Sequence, residues 1–505
     1  MGAALPGPAR QKEGLPARSS NRATVIENAR LAPAAFTWRR IRGLALQLIA
    51  GVSAVALGLV LAIIASPFQE LGPLVLIAIP LVPLAIVAVM IDPIVAPLIV
   101  AATLPAGSVG ASLGPATLQL SEGAALAVGA LIIIRRLAVG QSPLPFAREL
   151  IWPVLLLGWT LVALYSAVDE TLAIKQVVAL LGGILLATVV LASCRDLRGV
   201  RVLLGFLTII GLIVAVTSLS ANHQFQASAG GAVVQNRLEG AFQSPNQFGS
   251  WCALVIPIAA GLMFVSPGRL MRFIAALSLL ALLGTLIFSL SRSAWIGTGA
   301  AMLLLLFTLR EARRLLAFIL VPLILAGYLI FSFAPTPPEV QVVGERVRAI
   351  AVRSPYDDRA EIYHEALNEI REDPITGIGP GGFAIASRRA GTETSTVFAA
   401  HAHNLLLNYG AEEGLPAVGL VFAFVLAMAA ATRRGSRAAA RFDRRHRGLI
   451  LSIAASLFAI FVQGFFDYTL GNPVIRITVW MLIGTLLVAV READLVQSRA
   501  GAVRP

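Results

Sequence analysis

The feature that most constrains this chain is a succession of apolar runs, most of them about 20 residues long. A helix of that length crosses the roughly 30 Å hydrocarbon core of a bilayer. A shorter run, 94–105, contains Pro97 and follows Pro93, which indicates a re-entrant piece or half of a broken helix. The sequence therefore predicts an all-α fold, a polytopic transmembrane bundle of 12–14 helices. The predicted spans lie near 43–65, 71–91, 94–105, 120–138, 150–168, 172–193, 201–220, 248–265, 270–289, 294–309, 315–333, 404–431, 449–469 and 473–490.

Composition excludes the other classes of protein. Hydrophobic residues make up 57% of the 505 residues and charged residues only 13%, whereas soluble domains carry about 25% charged residues. With only two cysteines, the chain cannot be a disulfide scaffold. The five histidines are scattered, and neither CxxC nor HExxH occurs. We therefore expect no dedicated transition-metal site and no cofactor.

The basic residues that give the chain its net charge of +13 are distributed according to the predicted membrane topology. Lys12 and Lys175 are the only lysines, and most arginines fall in short loops between apolar runs, with the densest cluster at Arg433 to Arg447. This pattern is typical of the positive-inside rule and not of a nucleic-acid-binding face. It predicts a multi-pass membrane protein with both termini in the cytoplasm.

The apolar runs and the placement of arginines divide the chain into segments. We predict a disordered basic cytoplasmic tail at 1–42, a first set of transmembrane helices at 43–220 and a core at 221–431. The core includes one large periplasmic loop with short helices, 334–402. Transmembrane helices at 432–490 and a cytoplasmic tail at 491–505 follow.

The long loop carries the clearest local pattern. A helix is predicted over 357–372, capped by Asp357 or Asp358 and ended by Pro374. A glycine-rich turn, 377–382, follows. We expect this unit to form a lid over a membrane-embedded cavity. The predicted apolar stripe of the helix consists of Tyr363, Ala366, Leu367 and Ile370.

Three polar patches lie at the predicted outer boundary. Guanidinium forks match phosphate oxygens, and histidine is well suited to take a proton from a hydroxyl near neutral pH. Taken singly, each residue has a plainer interpretation: an arginine anchored at the interface, an interfacial histidine, a capping or salt-bridged glutamate. The patches contain Arg237, Gly240, Pro245 and Asn246; Arg292; and His401, His403, Asn404, Glu412, Glu413 and Gly414.

Together these motifs resemble the O-antigen ligase and polymerase family of bacterial inner-membrane glycan enzymes. The resemblance runs from about Arg237 to Gly419. It rests on Arg-Leu-Glu-Gly followed by Asn246, on Ser-Arg292-Ser-Ala-Trp, and on Arg359 with the helix after it. Pro374 followed by Gly-Ile-Gly, and His403-Asn404 followed by Gly414, complete it. The ligase branch often has Gly, Thr or Tyr three residues after the last glycine, where this chain has Ala417.

The resemblance implies a polyprenyl-phosphate-dependent glycosyltransferase fold and a catalytic role for His403. Arg237 and Arg292 would bind the diphosphate of an undecaprenyl-diphosphate-linked glycan, and the acceptor would be a hydroxyl on a lipid or a glycan. Neither a metal nor a nucleotide sugar is implied, because the lipid diphosphate is already the leaving group. The implied supporting residues are Asn404, Glu413, Asn246, Arg359 and Gly414, with Glu413 a candidate partner of His403.

Two other functions stay open. One is a protein O-oligosaccharyltransferase, which the sequence does not separate from a ligase or polymerase. The other is a secondary transporter or polysaccharide exporter, which would place ionisable groups within the spans. The polar patches gather at the outer boundary, which favours the enzyme. The ionisable residues near or within spans are Lys175, Glu122, Asp467 and Arg476.

Overall fold

The computed structural model describes residues 72–106, 110–113, 116–220, 238, 240, 242, 244–309, 313, 325, 359–387 and 399–502. The chain divides after Val87 into two units. Of the first unit, the described residues form the start of helix α1 (Gly72–Ile91). The second unit contains the other described elements and the candidate site.

The second unit is a bundle of helices with one short hairpin. Within the described residues, the helices after α1 are α2 (Val95–Thr103), α3 (Leu120–Ala138), α4 (Ile151–Ala163), α5 (Glu170–Ser193), α6 (Leu197–Ser220), α7 (Pro245–Val265), α8 (Arg269–Phe288), α9 (Arg292–Thr308), α10 (Arg359–Glu372), α11 (Leu405–Ala440), α12 (Arg444–Gln463) and α13 (Pro473–Ala502). The hairpin consists of β1 (Gly110–Leu113) and β2 (Ala116–Gln119).

The predicted all-α membrane bundle is confirmed. Within the described residues, eight helical segments are long and apolar enough to cross a bilayer, and three shorter apolar helices accompany them. The total of 12–14 helices stays a prediction, because the apolar runs near 43–65 and 315–333 fall almost entirely outside the described residues. The predicted disordered tail at 1–42 also lies outside them.

Helix α7 is the centre of the bundle. It packs against α6, α8, α9 and α12, and 94% of its most apolar stretch is buried. Phe248 and Trp251 are fully enclosed there. By contrast, α8 exposes Leu270 and Phe273 on its outer face. In a bilayer such side chains meet lipid, so a helix that is apolar on every face can lie at the edge of the bundle.

The short run near 94–105 forms a helix that cannot cross a bilayer. Helix α2 has nine residues, about 14 Å at the usual rise. The hairpin follows it, with Gly110 paired to Gln119 and Leu113 to Ala116 in antiparallel register. The sequence did not predict these strands. At four residues each, they are too short to show the alternation of polar and apolar residues that identifies a strand.

Helix α10 buries a slightly different face from the one predicted. Ile362 and Ala366 are buried against Phe383 and Ala402, whereas Leu367 is 37% exposed. The predicted stripe was therefore wrong at Leu367, because the buried face is centred on 362 and 366, one turn apart, and 367 falls at its edge. The predicted caps Asp357 and Asp358 lie outside the described residues.

Candidate active site

The candidate site begins where the chain enters α11. Asn404 caps this helix: its Oδ1 accepts hydrogen bonds from the backbone N–H groups of Leu406 at 2.9 Å and Leu407 at 3.1 Å. Its Nδ2 donates to the backbone oxygen of Phe465 at 3.0 Å. The Leu405 N–H donates to Gly464 O at 2.6 Å. Asn404 therefore fixes the entry to α11 against the loop that joins α12 to α13.

His403 precedes this cap in a constrained conformation. Its φ angle is +47°, in the left-handed region that non-glycine residues rarely adopt outside turns and functional sites. Its backbone oxygen accepts a hydrogen bond from Tyr363 Oη of α10 at 3.3 Å. The helix of the long loop thus lies directly against the histidine, as the predicted lid requires.

The side chain of His403 is bonded to a buried carboxylate. His403 Nδ1 lies 2.9 Å from Asp467 Oδ1. The Asp467 side chain is only 4% exposed, whereas that of His403 is 27% exposed. Asp467 belongs to the α12–α13 loop, where its N–H bonds to Gln463 O at 3.0 Å. This arrangement holds Nδ1 of the imidazole at the buried carboxylate.

The charge state of Asp467 follows from the same contacts. Burial alone would raise the pKa of this carboxyl group. Hydrogen bonds and charge interactions with His401 and His403 outweigh the burial and hold the Asp467 pKa well below its usual range. Asp467 is therefore a carboxylate at any pH at which the histidines titrate.

His401 faces the same carboxylate. Its Nε2 lies 3.7 Å from Asp467 Oδ1, and the His401 and His403 rings are 4.4 Å apart at their centroids. From helical spacing we would expect the two side chains to diverge. That expectation was wrong, because α11 begins only at Leu405 and residues 401 and 403 lie in the non-helical segment before it.

Glu413 is not the partner of His403. Its carboxylate accepts a hydrogen bond from Thr160 Oγ1 at 2.6 Å, and its backbone oxygen accepts one from Trp159 Nε1 at 2.8 Å. Glu413 lies on the third turn of α11, more than two turns beyond His403. It therefore ties α11 to α4, and the carboxylate beside His403 is that of Asp467.

Gly414 forms a junction between α11 and the glycine-rich turn. It breaks the helix with φ +76° and ψ 178°, and a Cβ added there would clash with the backbone of Ile375. The next N–H, that of Leu415, donates to Pro374 O at 2.9 Å. On the other side of the break, Ile378 N donates to Ala411 O at 3.0 Å. The Pro374 and Gly414 motifs thus pack on one another.

A polar cavity of about 470 Å³ opens beside His403 and Asp467. Within it, Arg476 Nη2 donates to Glu122 Oε1 at 2.7 Å, which places a guanidinium beside the site. From the sequence, four ionisable residues near or within spans were considered only for the alternative function of a transporter: Asp467, Lys175, Glu122 and Arg476. Other lining side chains include Asn246, Gln247, Lys175, His401 and Glu412.

An apolar cavity of about 510 Å³ adjoins the polar one. The two share Gln176, Ala179, Glu412, Tyr468 and Arg476 among their lining residues. The apolar cavity also contacts Arg433 and Ser436. The part of α11 after the break, from Leu415 to Arg433, covers 18 positions, about 27 Å at the helical rise, which is close to the thickness of a bilayer core.

Arg292 lies at the same end of the bundle as His403. It is the first residue of α9, and its neighbour Ser293 lies 3.5 Å from Gln463 Nε2. The same amide donates to Ser250 Oγ at 2.7 Å, and Ser250 in turn donates to Asn246 O at 2.7 Å. Gln463 precedes Gly464, whose oxygen is bonded to Leu405. This network connects the start of α7, the start of α9 and the entry to α11.

The predicted site residues are thus partly brought together. His403 and Asn246 line the polar cavity, whereas Arg292 is not among the described residues that line it. Arg359 is the first residue of α10. Arg237 lies outside the described residues, so the predicted distance between its guanidinium and that of Arg292 stays a prediction.

Asp467 is the functional residue that sequence reasoning failed to connect to the site. It is separated from His403 by 64 positions. The spacing of apolar residues predicts the faces of single helices and does not reveal a contact between residues this far apart. One indication was available: Asp467 is the only acidic residue between 448 and 490. A single carboxylate between two apolar helices requires a partner.

A comparison with known protein families gives a match to the middle of the chain. Residues 277–422 match the family model described as O-antigen ligase. This range includes Arg292, Arg359, His403, Asn404 and Gly414. Asp467 follows the range, and Arg237 and Asn246 precede it.

The other comparisons are weaker. No curated protein matches the chain. A solved structure described as "Structural coordination of polymerization and crosslinking by a peptidoglycan synthase complex" is similar at a TM-score of 0.40 and 17% identity, over 68% of this chain and 97% of that chain. That similarity is too low to carry an argument. The family match shows that residues 277–422 of this multi-pass membrane chain are similar to the O-antigen ligase family.

Proposed function

We propose that this protein transfers a glycan from undecaprenyl diphosphate to a hydroxyl group on a lipid or on another glycan. The O-antigen ligase domain supports a glycosyl-transferring enzyme of the membrane in general. The observation that carries the finer assignment is the His403–Asp467 pair, 2.9 Å apart, at the wall of a polar cavity that joins a long apolar one.

His403 is the general base in this proposal. Its Nδ1–H donates a hydrogen bond to the Asp467 carboxylate, so Nε2 keeps the lone pair that accepts the proton of the acceptor hydroxyl. Asp467 holds this tautomer and stabilises the imidazolium that forms, as the carboxylate does in Ser-His-Asp triads. The acceptor oxygen then forms a bond to the anomeric carbon, and the bond from that carbon to the diphosphate breaks.

Two cationic side chains of the polar cavity, one of them paired with Glu122, would contact the leaving diphosphate. Arg476 and Lys175 line the cavity, and Arg292 lies at the same end of the bundle. With Arg237, these groups would stabilise the negative charge that develops on the diphosphate oxygens. Transfer needs no metal ion in this scheme, because the diphosphate leaves without further activation.

The apolar cavity fits the hydrocarbon part of the donor. It is lined mainly by aliphatic and aromatic side chains, including Leu156, Val421, Phe424 and Phe461. A chain of isoprene units would lie there, while its diphosphate occupies the junction beside Arg476 and Glu412. A soluble nucleotide sugar would have no use for such a cavity.

We infer that the site faces away from the cytoplasm. His403 lies just before the first residue of α11, whereas Arg433 and Arg437 lie near its last turn. If the arginine-rich end is cytoplasmic, as the positive-inside rule requires, the His403 end is outside. In a bacterial plasma membrane that is the periplasmic or outer face, and both termini are cytoplasmic.

The test is the glycan found on the lipid carrier in cells that lack this gene. We expect undecaprenyl-diphosphate-linked glycan to accumulate: polymers if the protein is a ligase, single repeats if it is a polymerase. Loss of glycan from proteins together with this accumulation would identify a protein O-oligosaccharyltransferase. An unchanged carrier pool contradicts the proposed donor. A carrier-linked glycan trapped on the cytoplasmic side would instead identify an exporter.

Complementation makes the test specific to the site. A gene encoding His403→Ala should fail to restore the wild-type carrier pool. A gene encoding His364→Ala should restore it, because His364 is exposed on α10 and outside both cavities.

A further inference from the structure

Three metal-ligating groups converge at one point of the polar cavity. His403 Nδ1 and His401 Nε2 lie 2.9 Å and 3.7 Å from the same oxygen of Asp467. One ligand atom from each of these three residues can be chosen so that all lie within 4.8 Å of one another. The sequence predicted no dedicated transition-metal site because neither CxxC nor HExxH occurs, and Asp467 is 64 positions from His403.

The separations suit a tetrahedral transition-metal ion. Zinc binds imidazole nitrogen and carboxylate oxygen at about 2.0–2.2 Å, which places tetrahedral ligand atoms about 3.3 Å apart. The two separations from Asp467 Oδ1, 2.9 Å and 3.7 Å, bracket that value, and the ligand atoms chosen from the three residues all lie within 4.8 Å of one another. Two imidazoles and one carboxylate favour zinc and related ions over magnesium or calcium, which prefer oxygen ligands.

The ligands are held in place before any ion arrives. Asp467 is buried, and the loop that carries it is bonded to the entry of α11 through Gly464 and Phe465. The ring of His401 also contacts that of Tyr468 at 5.6 Å. The two histidine side chains are 29% and 27% exposed, so a fourth ligand can come from the cavity. Three protein ligands and one open position are the arrangement of accessible zinc sites.

We propose that His401, His403 and Asp467 bind a divalent transition-metal ion such as Zn²⁺, and that the bound ion inhibits transfer. The inhibitory part rests on the proposed function. A neutral imidazole that ligates a metal through Nδ1 carries its proton on Nε2. His403 then presents an N–H donor to the cavity instead of a lone pair, and it cannot accept the proton of a hydroxyl group.

Binding is tested with Zn²⁺ alone on the full-length protein, purified in detergent with a tag that contains no histidine. We expect one zinc per chain after equilibrium dialysis, and weaker binding by tenfold or more in His401→Gln and Asp467→Asn. His364→Gln, which alters an exposed histidine of α10, should bind as the wild type does. A single symmetric size-exclusion peak, required of each variant, separates ligand loss from misfolding. Equal binding by His401→Gln and the wild type overturns the site.

Inhibition is tested in a transfer assay with a chelator followed by added Zn²⁺. Each variant is compared with its own metal-free rate. The wild type and His364→Gln should lose activity as the site fills, and His401→Gln should need at least tenfold more zinc for the same loss. Full activity with zinc bound, or activity that requires zinc, overturns the inhibitory role. Stoichiometric zinc binding by a protein without transfer activity would contradict the proposed function while leaving the metal site intact.

Discussion

At the scale of single residues, the contact with Asp467 determines which nitrogen of His403 would meet the acceptor in the proposed function. Its carboxylate is buried and bonded to Nδ1, and its own pKa is held well below the usual range by the two histidines despite burial. Asp467 therefore stays ionised throughout the neutral range. A loss of activity between about pH 8 and 5 would therefore not reflect protonation of this carboxyl group.

Asp467→Asn should lower the turnover rate by about a hundredfold or more, within the range for loss of a general base's support. The affinity for the donor should change little, because Asp467 lies at the histidine and not at the diphosphate. Measurement of kcat and KM at one neutral pH checks both expectations. A change confined to KM would contradict the role of Asp467.

Part of the arrangement around His403 could be predicted from the sequence. His403 was identified from its motif, and Asn404 from its position beside it. Asp467 could not be connected to either, because its contact depends on how α12 returns to the start of α11. Glu413 was assigned to His403 by proximity in sequence, but helical geometry turns it towards Thr160 on α4. For the same reason, the three ligands of the proposed zinc site could not be predicted from the sequence.

At the scale of elements, the site depends on the break in α11. Glu412 and Glu413 lie before the break, and the long membrane-facing part of the helix lies after it. The break at Gly414 lets Leu415 N bond to Pro374 O, which docks the glycine-rich turn and α10 onto the bundle. Periodicity predicted both helices, but the contact between their ends comes from the packing of two segments 40 residues apart.

Gly414→Ala should destabilise the protein by about 1–3 kcal/mol, because alanine is strained at φ +76° and its Cβ meets the Ile375 backbone. Transfer activity should fall with it, since α10 and the turn lose their docking site. Gly419→Ala is the matched control, because it lies on the same helix and a Cβ there has no neighbour within 4 Å. Thermal unfolding in detergent compares the two. Equal midpoints would show that the break is not required.

At the scale of the whole molecule, two cavities of different polarity meet beside one histidine. Composition and hydropathy were sufficient to predict the membrane bundle, since few other folds accommodate 57% hydrophobic residues. They could not predict the cavities, because these arise from gaps between α4, α5, α11, α12 and α13. The junction of the two cavities supports the lipid-linked donor of the proposed function.

Ala179→Trp should raise the KM for a lipid-linked donor by tenfold or more. Ala179 lines both cavities, so an indole there obstructs the path from the hydrocarbon tail to the diphosphate. Val178→Trp is the control on the same helix, because Val178 is 55% exposed on the outer face and its indole would lie in lipid. If both variants keep the wild-type KM, the apolar cavity does not hold the donor.

The orientation of the bundle has its own test. Leu367→Cys on α10 should react with a membrane-impermeant maleimide from the periplasmic side, and Phe442→Cys after α11 should not. Both positions are exposed, and the native Cys194 and Cys252 are buried, so background labelling should be low. The reverse pattern would place the candidate site in the cytoplasm and remove it from a periplasmic acceptor.

The most direct test of the account is transfer by the purified protein. It is incubated with undecaprenyl-diphosphate-linked glycan and a hydroxyl acceptor, and released undecaprenyl diphosphate and glycosylated acceptor are measured together. We predict equal amounts of both products from the wild type and from His364→Ala. His403→Ala should slow both by about 10²–10⁴-fold while remaining folded and binding the donor. Undiminished transfer by His403→Ala would contradict the account.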